Sequence, residues 1–118
     1  MIASYPERRF TLWEYRVGHG SLLFRSPKTD GWPRNVDVIF VGVDYLAAPT
    51  VLNGLTVERG LDADLLALVG TPRKVEPQQL FVLVSAGRRD SVVAAHCRAT
   101  ENDGDIFDSR FDLYGSPS

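Results

Sequence analysis

The stretch Val36-Asp37-Val38-Ile39-Phe40-Val41-Gly42-Val43 decides how the rest of the chain is read. Val38 and Phe40 fall on one side of an extended backbone, and Ile39, Val41 and Val43 fall on the other. A run that is apolar on both faces and rich in β-branched residues predicts a central strand covered from both sides. Asp37 and Asp44 are expected to fence its ends against slippage. Two further runs, residues 10–17 and 79–86, have the same character, and each is closed by Gly, Pro, Asn or Asp.

Working outward, residues 9–17 alternate, which places Trp13, Tyr15 and Val17 on one row, expected to be core. Gly18-His19-Gly20 supplies a turn, and residues 21–26 return as the second arm of a β-hairpin. Residues 27–35 hold two prolines and an Asp-Gly pair and read as a loop. After the central run, Ala47-Ala48-Pro49 is a break, Asn53-Gly54 a turn, and residues 55–58 a short strand. The one helical signal is Asp62–Val69, with Asp62 as N-cap, Asp64 in the first turn, a stripe of Leu65, Leu68 and Val69, and Gly70 and Pro72 at its end. Residues 80–86, 91–99 and 106–113 follow as an antiparallel meander, turning at residues 87–90 and 101–105. The expectation is one mainly β domain over residues 1–118, an antiparallel β-sandwich or partly open barrel of about seven strands with one short helix near Asp62–Val69.

Composition bounds the function class. The chain has 118 residues, 44% hydrophobic and 24% charged, enough for a core without disulfides or metal. A formal net charge of −2 gives no bulk attraction to nucleic acid or anionic membrane. Charge is uneven, however. Residues 1–36 carry six basic side chains against three acids, and residues 99–118 carry five acids against Arg110 alone. Either a solvated surface or head-to-tail steering of two copies accounts for it. Residues 1–9 lack the apolar core of a signal peptide, and no apolar run is long enough to span a bilayer, so a soluble, cytoplasmic protein is expected.

No spacing signature of catalysis, metal binding or phosphate binding stands out, so no catalytic residue, metal site or cofactor is assigned. Cys97, the only cysteine, shares a row with Val93 and Ala95 and reads as a buried, inert thiol, with His96 facing the other way. Residues 101–105 resemble a calcium loop in composition alone and fit an acidic hairpin loop better. Arg8, Arg9 and Arg16 interleave with aromatics as in single-strand nucleic-acid readers, but the strand rows separate them. Trp32, in a Pro/Gly loop, either plugs the end of the sheet or anchors a partner.

Residues 12–20, 22–28 and 35–46 resemble small soluble bacterial proteins of unknown function, a resemblance confined to the first half of the chain. It implies a bacterial origin and no site. The functional expectation is a non-enzymatic protein–protein interaction module or a homo-oligomeric protein. The alternative is a small-molecule-binding β domain or an enzyme of uncharacterised type, with a pocket at one end of the sheet. The candidate binding residues are His19, Lys28, Trp32, Arg34 and Tyr45. A working surface is expected where residues 18–21 and 27–35 meet, suited to an acidic or carboxylate-bearing partner.

Overall fold

The computed structural model describes residues 1–18, 20–69 and 78–102. Among them lie eight strands and one helix. In chain order these are β1 (Ala3–Arg16), β2 (Ser21–Ser26), β3 (Asn35–Val41), β4 (Tyr45–Ala47), β5 (Val51–Arg59), α1 (Asp62–Val69), β6 (Gln79–Ser85), β7 (Arg88–Ala94) and β8 (His96–Asn102). They form one sheet in the order β4-β7-β6-β5-β1-β2-β3-β8, antiparallel at every pairing. The expected strand at residues 106–113 lies outside the described residues, as does the linker at 71–77.

The sheet is curled. Phe40 on β3 and Phe81 on β6 meet edge to face with ring centroids 5.6 Å apart, although three strands stand between β3 and β6. Four steps across a flat sheet would span roughly 19 Å, so the two halves fold over a common interior. Phe10, Leu22, Phe24, Val36, Val38, Phe40, Leu52, Leu55, Val57, Phe81, Leu83, Val92 and Ala94 fill it.

The hydrogen-bonded sheet is not closed into a barrel, yet its two ends belong to the same chain segments. β3 runs through residues 42–44 into β4, and β7 runs through Ala95 into β8. The Ala95 N–H donates to Val41 O at 2.9 Å and the Asp44 N–H to Val93 O at 2.8 Å. Those bonds join the β3·β8 and β4·β7 ladders into one bent ribbon. At the bend a Cβ on Gly42, whose φ is +69°, would lie 3.1 Å from the Ala95 Cβ.

β3 is covered on both faces, as its sequence predicts, and buried through Phe40, but it is the next-to-last strand of the sheet rather than a central one. Leu23 and Ile39 form a smaller cluster on the outer face, with Trp13 and Val41 packed against them. Asp37, instead of fencing a strand end, sits mid-strand and fully buried opposite Arg25. The Arg25 Nε donates to Asp37 Oδ1 at 2.8 Å.

Irregularities in β1 explain where alternation misleads. Between Tyr5 and Arg9 its register against β5 shifts, because Gly54 (φ +78°) lets β5 pass within contact of the Pro6 carbonyl; a Cβ there would lie 2.5 Å from that oxygen. Asn53-Gly54 is therefore not a turn, and β5 runs straight through it. A second shift falls between Leu12 and Glu14. It puts Leu12 with the core and Trp13 outside, while Tyr15 and Val17 are 44% and 82% exposed. The expected Trp13–Tyr15–Val17 core row is thus replaced by Phe10 and Leu12.

The turn between β6 and β7 is Ala86-Gly87, not residues 87–90, since Ser85 pairs with Arg88. Both turn residues have positive φ, 49° and 80°, the signature of a tight two-residue hairpin. In α1, the Leu65 N–H donates to Leu61 O, so Leu61 is the N-cap and Asp62 the first helical residue. Asp62 and Asp64 still lie in the first turn, where the helix dipole favours them. Of the expected stripe, Leu65 packs against Leu80, Val82 and Val93, whereas Leu68 is exposed.

Candidate functional site

The two segments expected to meet do not. The β1–β2 turn (residues 17–20) and the β2–β3 loop (residues 27–34) lie at opposite ends of the six-residue strand β2, about 17 Å apart along it. Lys28, Trp32 and Arg34 are grouped at one end, and Tyr45 sits at the other. His19 lies outside the described residues.

At the loop end the organising residue is Arg8, which the sequence marked only as one of several arginines interleaved with aromatics. It is 5% exposed and donates from Nε to Ser26 Oγ at 2.9 Å. Its Nη2 reaches Ser26 O at 3.0 Å, Arg34 O at 2.9 Å and Pro27 O at 3.4 Å. One guanidinium therefore holds both ends of the loop. Burial lowers its pKa, with the Glu101 carboxylate and Tyr5 opposing that shift. Burial, and then Glu101, raise the Tyr5 phenol, while Arg8 lowers it.

Trp32 covers this anchor, its ring centroid 5.0 Å from the Arg8 guanidinium carbon, and it stays 39% exposed. It is neither a core plug nor a projecting anchor but a lid stacked on a cation. Thr29 and Trp32 exchange backbone hydrogen bonds at 2.7 and 3.1 Å, which makes the loop tip a miniature hairpin. A second line of bonds secures the loop's base. The Lys28 N–H donates to Asn35 Oδ1, Asn35 Nδ2 to Asn102 Oδ1, and Asn102 Nδ2 to Asp37 Oδ2. Lys28 and Arg34 are exposed, and Arg34 Nη2 also reaches Glu101 O at 3.5 Å. The loop is fastened to the sheet at several points.

The opposite end differs. Here Tyr15, Val43, Asp44, Tyr45 and Leu46 line an open cleft of about 260 Å³. Tyr15 stands across from Leu22 on β2, so it shares the interior face of the sheet and emerges at its mouth. Val43 packs against the main core from the same side, and its N–H donates to Gly20 O at 2.9 Å, which fixes the β1–β2 turn against the bend. Leu46 is opposite the core residue Val92 yet 36% exposed. Asp44 is exposed beside it. Tyr45 packs against Leu80, Val82 and Val93 on the outer face and borders the cleft from there. The cleft is therefore where the apolar interior reaches the surface, with one carboxylate on its rim.

Cys97 faces the interior, as expected, but with Val92 and Ala94 rather than Val93 and Ala95. Ala95 interrupts the alternation, so that β7 ends inward at Ala94 and β8 resumes inward at Cys97 and Ala99. Burial pushes its thiol up to about 12, the opposite of what a nucleophile needs. His96 is exposed. Among the described residues no group of three or more His, Cys, Asp or Glu is placed to hold a metal ion, and no helix is long and apolar enough to cross a membrane. Comparison with known proteins finds no matching family model, curated protein or solved structure.

Proposed function

We propose that this chain is a non-enzymatic interaction domain that docks a segment of another protein at the mouth of its curled sheet. One observation carries the reading: around the cleft, the interior face of the sheet continues into the exposed side chains Tyr15 and Leu46. Exposed apolar side chains gathered at a concavity, on a rigid frame, are the usual form of a protein-docking site. The cleft's size points the same way. At about 260 Å³ it falls below the range of roughly 300–1,000 Å³ that encloses a whole small ligand, but it accommodates a side chain presented by a larger partner. Self-association is the special case in which that partner is a second copy.

The test is site-specific photocrosslinking in the native cell, with a benzophenone side chain at Leu46 and a control at Asp64 on α1. A discrete adduct from Leu46 that the Asp64 control lacks is the expected result. Identical patterns from both positions would overturn the proposal. Sedimentation of the purified chain over a range of concentrations separates the self-associating case, in which Leu46→Asp should return the protein to monomer.

A further inference from the structure

We infer that the outer face of β2 and β3 is a docking surface occupied by the chain's own residues 103–114, with Phe107 and Phe111 as the anchors. Every residue of β2 is buried, and β3 is buried from Asn35 through Phe40. Alternation turns only half of these side chains toward the interior. Leu23 and Arg25 on β2, and Asn35, Asp37 and Ile39 on β3, point outward. Yet Leu23, Arg25, Asn35 and Asp37 are 0% exposed and Ile39 is 5% exposed. A sheet face open to water leaves a long cation such as Arg25 wet, so a layer lies over this one. The sheet itself supplies too little cover. Trp13 and Val41 pack against Leu23 and Ile39, and the Trp13 ring centroid stands 5.2 Å from the Arg25 guanidinium carbon, but both are half-buried members of the same face. The helix α1 packs on Leu80 and Val82 of β6, and β5 and β1 separate β6 from β2.

Outside the described residues, two stretches are long enough to form that layer. Residues 70–77 join α1 to β6, away from this face, and hold one aliphatic side chain, Val75. Residues 103–114 follow β8, the strand beside β3, whose Asn102 stands opposite Asn35. In an extended backbone Phe107, Phe111 and Leu113 share one row, and Asp108, Arg110 and Asp112 share the other. That is the pattern of a cover with one dry side and one wet side. Leu23 lies two strands in from β8, roughly 10 Å, and nine extended residues span about 30 Å, so the stretch from Asn102 to Phe111 is long enough. Its aspartates also suit a face flanked by Arg16 on β1 and Arg98 on β8, which stand opposite Ser21 and Ile39.

The experiment is nuclear Overhauser spectroscopy on the full chain with labelled leucine and isoleucine methyls and protonated phenylalanine rings. Contacts should join the rings of Phe107 and Phe111 to the methyls of Leu23 and Ile39. Each set should vanish in the matching variant, Phe107→Leu or Phe111→Leu. In the double variant the Leu23 and Ile39 methyls should shift as the nearby ring currents are lost, while those of Leu65 and Leu80 keep their positions. The wild-type contacts read the inference even if the double variant unfolds. Rings that touch only other methyls, or none, overturn it. Isotope-filtered contacts in a mixture of labelled and unlabelled chains would place a second copy on the face and overturn the assignment to the chain's own segment.

Discussion

Cys97 and Ala86 show what single positions contribute. The Cys97 thiol keeps its proton in the fold up to about pH 12, whereas the unfolded chain releases it near pH 9. Between those values rising pH favours the unfolded state, so this contribution to stability is complete below about pH 9 and declines toward pH 12. Chemical denaturation across that window should show a downward slope in wild type that is shallower in Cys97→Ala. At pH 8 the native thiol should react with a disulfide reagent roughly tens of times more slowly than the unfolded chain, the smaller thiolate fraction being partly offset by the greater nucleophilicity of a high-pKa thiolate. Ala86 holds φ at +49°, where a Cβ is disfavoured. Ala86→Asn, giving Asn-Gly in the turn, should raise stability by about 0.5–1 kcal/mol, measured by urea unfolding. The inert character of Cys97 was legible in the sequence. Its row was not, because one residue, Ala95, reverses the alternation without any Gly or Pro to announce it.

At the scale of elements, the β2–β3 loop shows why some of the candidate site could be read and some could not. A Trp between Gly31 and Pro33 stands out in any sequence, and plugging and projecting were the two roles open to it. The third, stacking on Arg8, depends on a residue 24 positions away whose surroundings are fixed only once β1 bulges beside Gly54. Trp32→Ala should therefore cost about 1 kcal/mol, the range of a half-exposed cation–π contact. That is far less than the 3–5 kcal/mol lost with a core aromatic. Arg8→Met should cost about 3 kcal/mol, because it leaves carbonyls of Ser26 and Arg34 without their donor. Thermal melts of the two variants should rank them in that order; a Trp32→Ala melt as low as that of Arg8→Met would refute the lid assignment. The separation of the 17–20 turn from the 27–34 loop was implicit in the sequence, since a six-residue strand between two loops must hold them apart. Tyr15 was hidden by the shift at Trp13, which moved it from an expected core row to the mouth of the cleft.

At the scale of the whole molecule, most strands and their antiparallel order follow from period-two runs and turn residues, but three features do not: β4, which includes part of an expected break, the division of the expected strand at residues 91–99 into β7 and β8, and the curl. Wrapping eight strands over one interior is set by positions where the rhythm fails, at Trp13, Gly42, Gly54 and Ala95, and each failure is a single residue in an otherwise regular pattern. The ribbon through Gly42 and Ala95 has a consequence for how the protein breathes. In an ordinary open sheet the outermost strands fray first, and their amides exchange with solvent through small local openings. Here the terminal strands β4 and β8 continue directly into β3 and β7, so lifting either one strains the other. The amide protons of Asp44 and Ala95, which bridge the two ladders, should thus exchange only through cooperative opening. Native-state hydrogen exchange with added denaturant should give both the opening free energy of core amides such as Phe40. Exchange of either through a low-energy, denaturant-insensitive route would show that the ends part separately. A sheet built this way has margins in its pairing diagram but none in its motion.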